Sequence, residues 1–274
     1  MTCILESPRP AAIAAAIMGH AYVETAASTL ATLRDAPSPS GAPALPARFL
    51  RHADEHTVVA MRSVLEAIAA GAAVSANDRV AIVAAPCQSG RVLAARSLAQ
   101  LAVGGAVTVS PHLVPQASLH SVAGAVSVAF GWHGPHLGVG GGPDALAEGL
   151  IAAATLLAAG SGCDAAWLIA TDWQTEPSLD ADGGPTGDPV CRSLAIALVP
   201  AAVAGARPML VLDPAAPAVD HASTIDLATL ARAITSMASA GEAEPWCAEC
   251  PWGGTLTLVP AARAANIPFL RASA

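Results

Sequence analysis

The chain has 274 residues, of which 54 % are apolar, 12 % charged and 3 % aromatic, which excludes a disordered charged tail and a base-stacking surface. All 13 basic residues are arginines and the net charge is −8, so there is no basic stripe to grip phosphates and no nucleic-acid partner is expected. The length suits one large or two small domains, and so thin a coat of charge does little to keep a surface soluble on its own.

Residues 11–23 read equally as a strand or a short helix. The proline-rich stretch from Ala36 to Pro43 forbids a continuous helix and reads as a loop. From 48 to 70 the pattern is helical, with Val58, Met61, Leu65 and Ile68 at three- and four-residue steps and Gly71 as the stop. Asn77-Asp78 is a turn and 79–85 a buried strand, broken by Pro86-Cys87-Gln88-Ser89-Gly90. A helix over 92–103 ends at Gly104-Gly105. After Val107–Val109 comes a helix over 118–130, whose small residues Ala123, Gly124, Ala125 and Ser127 suit tight packing. Gly134-Pro135 is a turn and 137–139 a brief strand. Gly140-Gly141-Gly142-Pro143 leads into a helix over 144–159, with Asp144 favourably placed at the positive end of the helix dipole.

Residues 165–171 form another buried strand, followed by a polar loop over 172–188. Strands are expected at 193–199, 209–212 and 255–259, a helix at 225–238, and a loop holding Cys247 and Cys250. Short, continuous apolar strands alternating with helices predict a layered α/β domain. There is no internal repeat and no linker dividing two independent domains.

Six cysteines are too few for a disulfide scaffold at this length, and most lie beside apolar runs as reduced thiols would. The apolar run after Glu6 and Arg9 is short for a signal peptide and lacks a basic start. No stretch reaches the ~18 unbroken apolar residues of a membrane helix. The expectation is a cytoplasmic protein with no membrane contact.

Four motifs invite chemistry. His52-Ala53-Asp54-Glu55-His56 spells the inverted zinc-protease pattern H-x-x-E-H, but no third ligand is placed, and acidic residues belong at a helix start anyway. Cys247-Ala248-Glu249-Cys250 is a lone C-x-x-C without the second pair that a zinc ribbon needs, so a structural or incidental thiol pair is the better reading. The glycines at 138 and 140–142 miss the dinucleotide pattern. Cys87 ends a strand, as at a nucleophile elbow, yet no signal ties a histidine or an aspartate to it; a small residue at a strand end is the simpler account. No metal and no cofactor is expected.

The order Ser110-Pro111, Val114-Pro115, Ala123-Gly124, Ser127 and Gly134-Pro135 resembles the ketosynthase branch of the thiolase superfamily. The strand at 137–139, the long helix closed by Gly160 and the strand at 167–171 follow in register, and the resemblance covers about residues 45–212. It implies a thiolase-like layered α/β/α fold: a single ketosynthase-like domain with an N-terminal segment and proline-rich loop (1–44), a thiolase-like half (45–212) and a shortened C-terminal part (213–274).

In those enzymes a nucleophilic cysteine starts the buried helix, where the helix terminus lowers its pKa and backbone N–H groups stabilise an oxyanion. In this register the position is Pro143, nine residues after Gly134. Proline is well tolerated at a helix start but offers no thiol. A shift of one residue gives Gly142 or Asp144, neither an acyl-transfer nucleophile. The two histidines of the ketosynthase second half also have no counterpart, since His221 is the only histidine after Asp213 and lies in no recognisable motif.

Catalytic residues are therefore not expected. The pattern is similar to chain-length-factor-like partners of ketosynthases in type II polyketide systems, including those making aryl polyenes, although full-length chain length factors carry Gln at the Pro143 position. Leu45–Arg51, Ser118-Leu119-His120-Ser121 and Gly142-Pro143-Asp144 carry that similarity. The resemblance implies a heterodimer with a Cys-bearing ketosynthase that also works with an acyl carrier protein. Ser118, Leu119, His120, His133, Leu137, Val139 and Gly142, beside Pro143 and Asp144, would lie at the shared wall and pocket. Two alternatives stay open: an acyl-thioester hydrolase or acyltransferase using Cys87 or the His52/His56 pair, and a homodimeric acyl-binding pseudoenzyme.

Overall fold

The computed structural model describes residues 12–72, 79–158, 162–203, 207–216, 223–239 and 244–264. The expected turn at Asn77-Asp78, the helix-closing Gly160 and His221 lie outside them. In chain order the elements are β1 (Ile13–Ala26), α1 (Leu30–Asp35), α2 (Glu55–Ala69), β2 (Val80–Pro86), α3 (Arg91–Gly104), α4 (Leu113–Gln116) and α5 (Ser121–Phe130). Then come β3 (His136–Gly138), α6 (Ala145–Leu157), β4 (Ala165–Trp173), β5 (Val190–Pro200), β6 (Met209–Asp213) and β7 (Ser223–Thr224). The last are α7 (Leu227–Ser239), β8 (Trp246–Glu249), β9 (Thr255–Val259) and α8 (Ala261–Ala264).

All nine strands join one sheet in the order β3-β2-β4-β5-β1-β6-β9-β8-β7. β3 and β4 flank β2 in parallel, while β5, β1, β6, β9 and β8 follow one another antiparallel. The layering follows from the two-residue period of a strand. In β2, Ala81, Val83 and Ala85 face the core shared with α6 and α7, while Val80, Ile82 and Ala84 face the core shared with α2 and α5. β4 divides the same way, Leu168 to one side and Trp167 and Ile169 to the other. Helices on both faces make the expected α/β/α arrangement.

Helix α6 lies close on the sheet because Gly149 has no side chain; a Cβ there would sit 2.6 Å from Ala85 Cβ. Its apolar residues are buried nearly all round, as for a helix enclosed by protein.

Several expectations need correction. The ambiguous N-terminal segment is a strand of 14 residues in the middle of the sheet. The helix expected from 48 begins at Glu55, because Arg48 takes a left-handed conformation (φ 62°) and extended Asp54 caps the helix by accepting the Thr57 N–H at 2.8 Å. The helix expected from 118 begins at Ser121, after the separate short α4. Cys247 lies not in a loop but in β8, which two neighbours hold in the sheet. The strand expected at 165–171 continues through Asp172 and Trp173, residues assigned to the loop.

Candidate functional site

In open α/β sheets ligands bind beyond the carboxyl ends of parallel strands. Here that end of β3, β2 and β4 gathers the 139–144 loop, Cys87–Gly90 and Thr171-Asp172. β2 runs into Cys87, whose N–H is given to Thr171 O at 2.7 Å and which bridges to Gly141. Gln88, itself in a left-handed conformation (φ 59°), donates its N–H to Gly141 O at 3.0 Å. On the other strand Val139 N–H bonds Ala84 O at 2.9 Å, after which Gly140 and Gly141 (φ 82° and 103°) swing the chain into α6. The glycine run is thus a conformational device: a Cβ on Gly140 would stand 2.6 Å from Ala145 Cβ.

Gly142, Pro143 and Asp144 are all exposed, and α6 starts at Ala145. Pro143 therefore precedes the helix rather than opening it, and Asp144 occupies the capping position without a side-chain capping bond, instead of lying in the first turn. No side chain from Gly142 to Ala145 carries a thiol, a hydroxyl or an imidazole.

Leu119 and His120 are drawn to this loop by the close passage of β3: a Cβ on Gly138 would lie 2.2 Å from Leu119 O, and one on Gly141 3.2 Å from Leu119 Cδ2. His120 stacks at a tilt on His136 with ring centroids 4.9 Å apart, and partial burial, then His136, push its pKa down. His136 Nδ1 lies 3.2 Å from Gly134 O. Leu137 is exposed on β3, the edge strand, while half-buried Val139 packs on the core. Ser118 lies beside Leu119, but its hydroxyl turns away to Pro115 O at 3.1 Å. His133 is the exception: it is exposed in the turn before β3, at the opposite end of that strand from the 139–144 loop. His136 was missed in the sequence, although it directly follows the Gly134-Pro135 motif.

The other candidates separate. His52 is exposed and stacks on His112 with centroids 5.5 Å apart. His56 is buried in α2, its Nδ1 2.9 Å from Thr171 Oγ1, and burial pushes its pKa down to about 4. Because His52 precedes the helix, the two rings do not share a helical face. Burial, and then the Asp172 carboxylate, push the half-buried Cys87 thiol up, opposite to the activation a nucleophile needs. Asp172 itself is clasped by Arg192 across β4 and β5 in a two-pronged ion pair at 2.7 and 2.6 Å. Cys247 Sγ lies 3.4 Å from Thr257 Oγ1, and Cys250 is buried with its pKa pushed up by burial and then Glu249. Among the described residues no group of three or more metal-ligating side chains converges, and no helix is long and apolar enough to cross a membrane.

No known protein-family profile matches the chain, and neither does any curated protein. Solved structures do. A chain of the ishigamide ketosynthase/chain length factor matches 73 % of this chain at 16 % identity with a TM-score of 0.50, the match spanning 65 % of that chain, just under two thirds of its length. A chain of a ketosynthase in complex with its chain length factor from Xenorhabdus doucetiae, one of the two proteins of that complex, matches 92 % of this chain and 98 % of its own at 15 % identity and a TM-score of 0.48. A chain from the complex of a type II polyketide acyl carrier protein with its hexaketide-bound ketosynthase matches 69 % of this chain and 63 % of its own at 13 % identity and a TM-score of 0.49. By the first of these likenesses and by its layered sheet, the chain has the thiolase-like fold of the ketosynthases.

Proposed function

We propose that the chain is a ketosynthase-like subunit of the chain-length-factor kind, non-catalytic by itself. In this reading it pairs in the cytoplasm with a Cys-bearing ketosynthase and shapes the cavity into which an acyl chain grows on its carrier protein, in type II polyketide or aryl-polyene synthesis. The observation that carries it is Pro143: on a ketosynthase fold, the loop leading into the buried helix has at this position no atom to accept an acyl group.

The surface supports a partner. β3 is an edge strand with Leu119 and Leu137 exposed beside it. Of the 14 residues of α3 only Val92 and Ser97 are buried, which leaves Leu98, Leu101 and Val103 in water, with Val107 and Val114 on the segments that pack beside the helix. Val103 and Val107 are each 94 % exposed. Apolar area of this kind marks an interface.

Co-expression of the tagged chain with the ketosynthase and carrier protein encoded beside it tests the proposal. The two subunits should elute together in equal amounts, with acyl groups on the ketosynthase cysteine alone. A monodisperse monomer, or condensation by the isolated chain, overturns it.

A further inference from the structure

A separate feature lies on the C-terminal side of the sheet. β1 pairs with β6 only from Ile13 to Ala16. Beyond that, β1 bulges, its register against β5 slipping between Ile17 and Gly19. Pro208, just before β6, has no N–H to continue a ladder, although its carbonyl still accepts the Ile17 N–H at 2.9 Å. The two strands part here, and α7 and α8 lie alongside the gap.

The space left is a groove of about 510 Å³, within the roughly 300–1,000 Å³ of small-molecule sites. Ile17, Ile234 and Met237 form a buried apolar floor, and small side chains such as Ala262 leave the groove open. Two polar residues border it, His20 and Arg207. His20 Nε2 lies 2.9 Å from Thr235 Oγ1, whose hydroxyl is also within 2.9 Å of Ala231 O.

Arg207 is exposed and, like Arg48, Arg51 and Arg232, holds no ion pair among the described residues; of these four it is the one that lines the groove. No carboxylate is found among the described residues lining the groove. In a chain of net charge −8, an unpaired guanidinium above an acid-free apolar floor is complementary to an anion with a hydrocarbon tail.

We propose that this groove binds a medium-chain aliphatic carboxylate, its tail on Ile17, Ile234 and Met237 and its head group on Arg207. The site belongs to the chain alone and does not depend on a ketosynthase partner.

Calorimetric titration of the full chain with sodium decanoate, below its micelle concentration, tests this. Saturable one-to-one binding is expected, weakened at least about tenfold in Arg207→Glu, the loss that follows when a charge-assisted hydrogen bond is removed. Decylammonium should not bind, and Ala262→Trp should block decanoate while leaving the melting temperature and circular dichroism unchanged. Absence of saturable binding in the native chain, equal affinity of Arg207→Glu, or equal binding of decylammonium each overturns the proposal.

Discussion

His56 sits wholly inside the α2 side of the core, where a charged imidazole has no water and no carboxylate bonded to it. Its folded pKa of about 4 lies below the ordinary 6.5, so below pH 6.5 the unfolded chain binds the extra proton. Stability is therefore full above pH 6.5 and drains away as pH falls toward 4, by up to about 3 kcal/mol from this residue. Urea unfolding of the native chain and of His56→Gln at pH 7.5 and 4.5 checks the sign: the variant should lose less on acidification. Gly140 and Gly142 give a second, paired test. Gly140→Ala places a Cβ at φ 82° and against Ala145, and should cost about 1–3 kcal/mol by thermal melting. Gly142→Ala meets open space and should stay within about 0.5 kcal/mol of the native chain. A similar loss for both would mean that the loop does not hold this conformation.

At the scale of elements, α3 differs from its neighbours because so little of it is buried. Leu98→Glu with Leu101→Glu should leave the isolated chain's melting temperature nearly unchanged, as exposed substitutions do. The same change should weaken the proposed pairing with a ketosynthase at least about tenfold if this face lies in the interface; unchanged co-elution would remove α3 from it. The contrast with α2 explains what the sequence made legible. Val58, Met61 and Leu65 recur at helical spacing and are buried, so the element could be read from its pattern. Its start could not, because the left-handed turn at exposed Arg48 leaves no mark in the apolar pattern and the Asp54 cap is buried only by tertiary packing. β8 was hidden for a related reason: of the five residues between Pro245 and Pro251, four become a strand only through β7 and β9. At the site, the expectation that Pro143 stands at the nucleophile position comes from the resemblance, by its distance to Gly134-Pro135. The bridge from Cys87 to Gly141 and the pairing of His120 with His136 come from the parallel register of β2 and β3, which local pattern does not carry.

For the molecule as a whole, one sheet runs from β3 to β7 and two apolar cores lie back to back across it. β1 touches both parts, pairing with β5 on one side and β6 on the other. Unfolding should therefore be a single cooperative event. Trp167 stacks on Trp132 in one core with ring centroids 5.7 Å apart, and Trp246 packs on the other. In a variant keeping Trp167 and Trp132 and in one keeping Trp246, the urea curve from fluorescence should coincide with that variant's own curve from circular dichroism; separate midpoints within one variant would mean that the β6–β9 part unfolds by itself.

The same central strand sets a problem for biosynthesis. β1 is synthesised well ahead of its partner, since its ladder begins only when Val190 arrives opposite Ala26. Until then an alanine- and isoleucine-bearing segment must travel without a mate, exposed to other nascent chains. Slowing synthesis by lowering the growth temperature, or supplying a holdase chaperone, should accordingly raise soluble yield more than any surface substitution does.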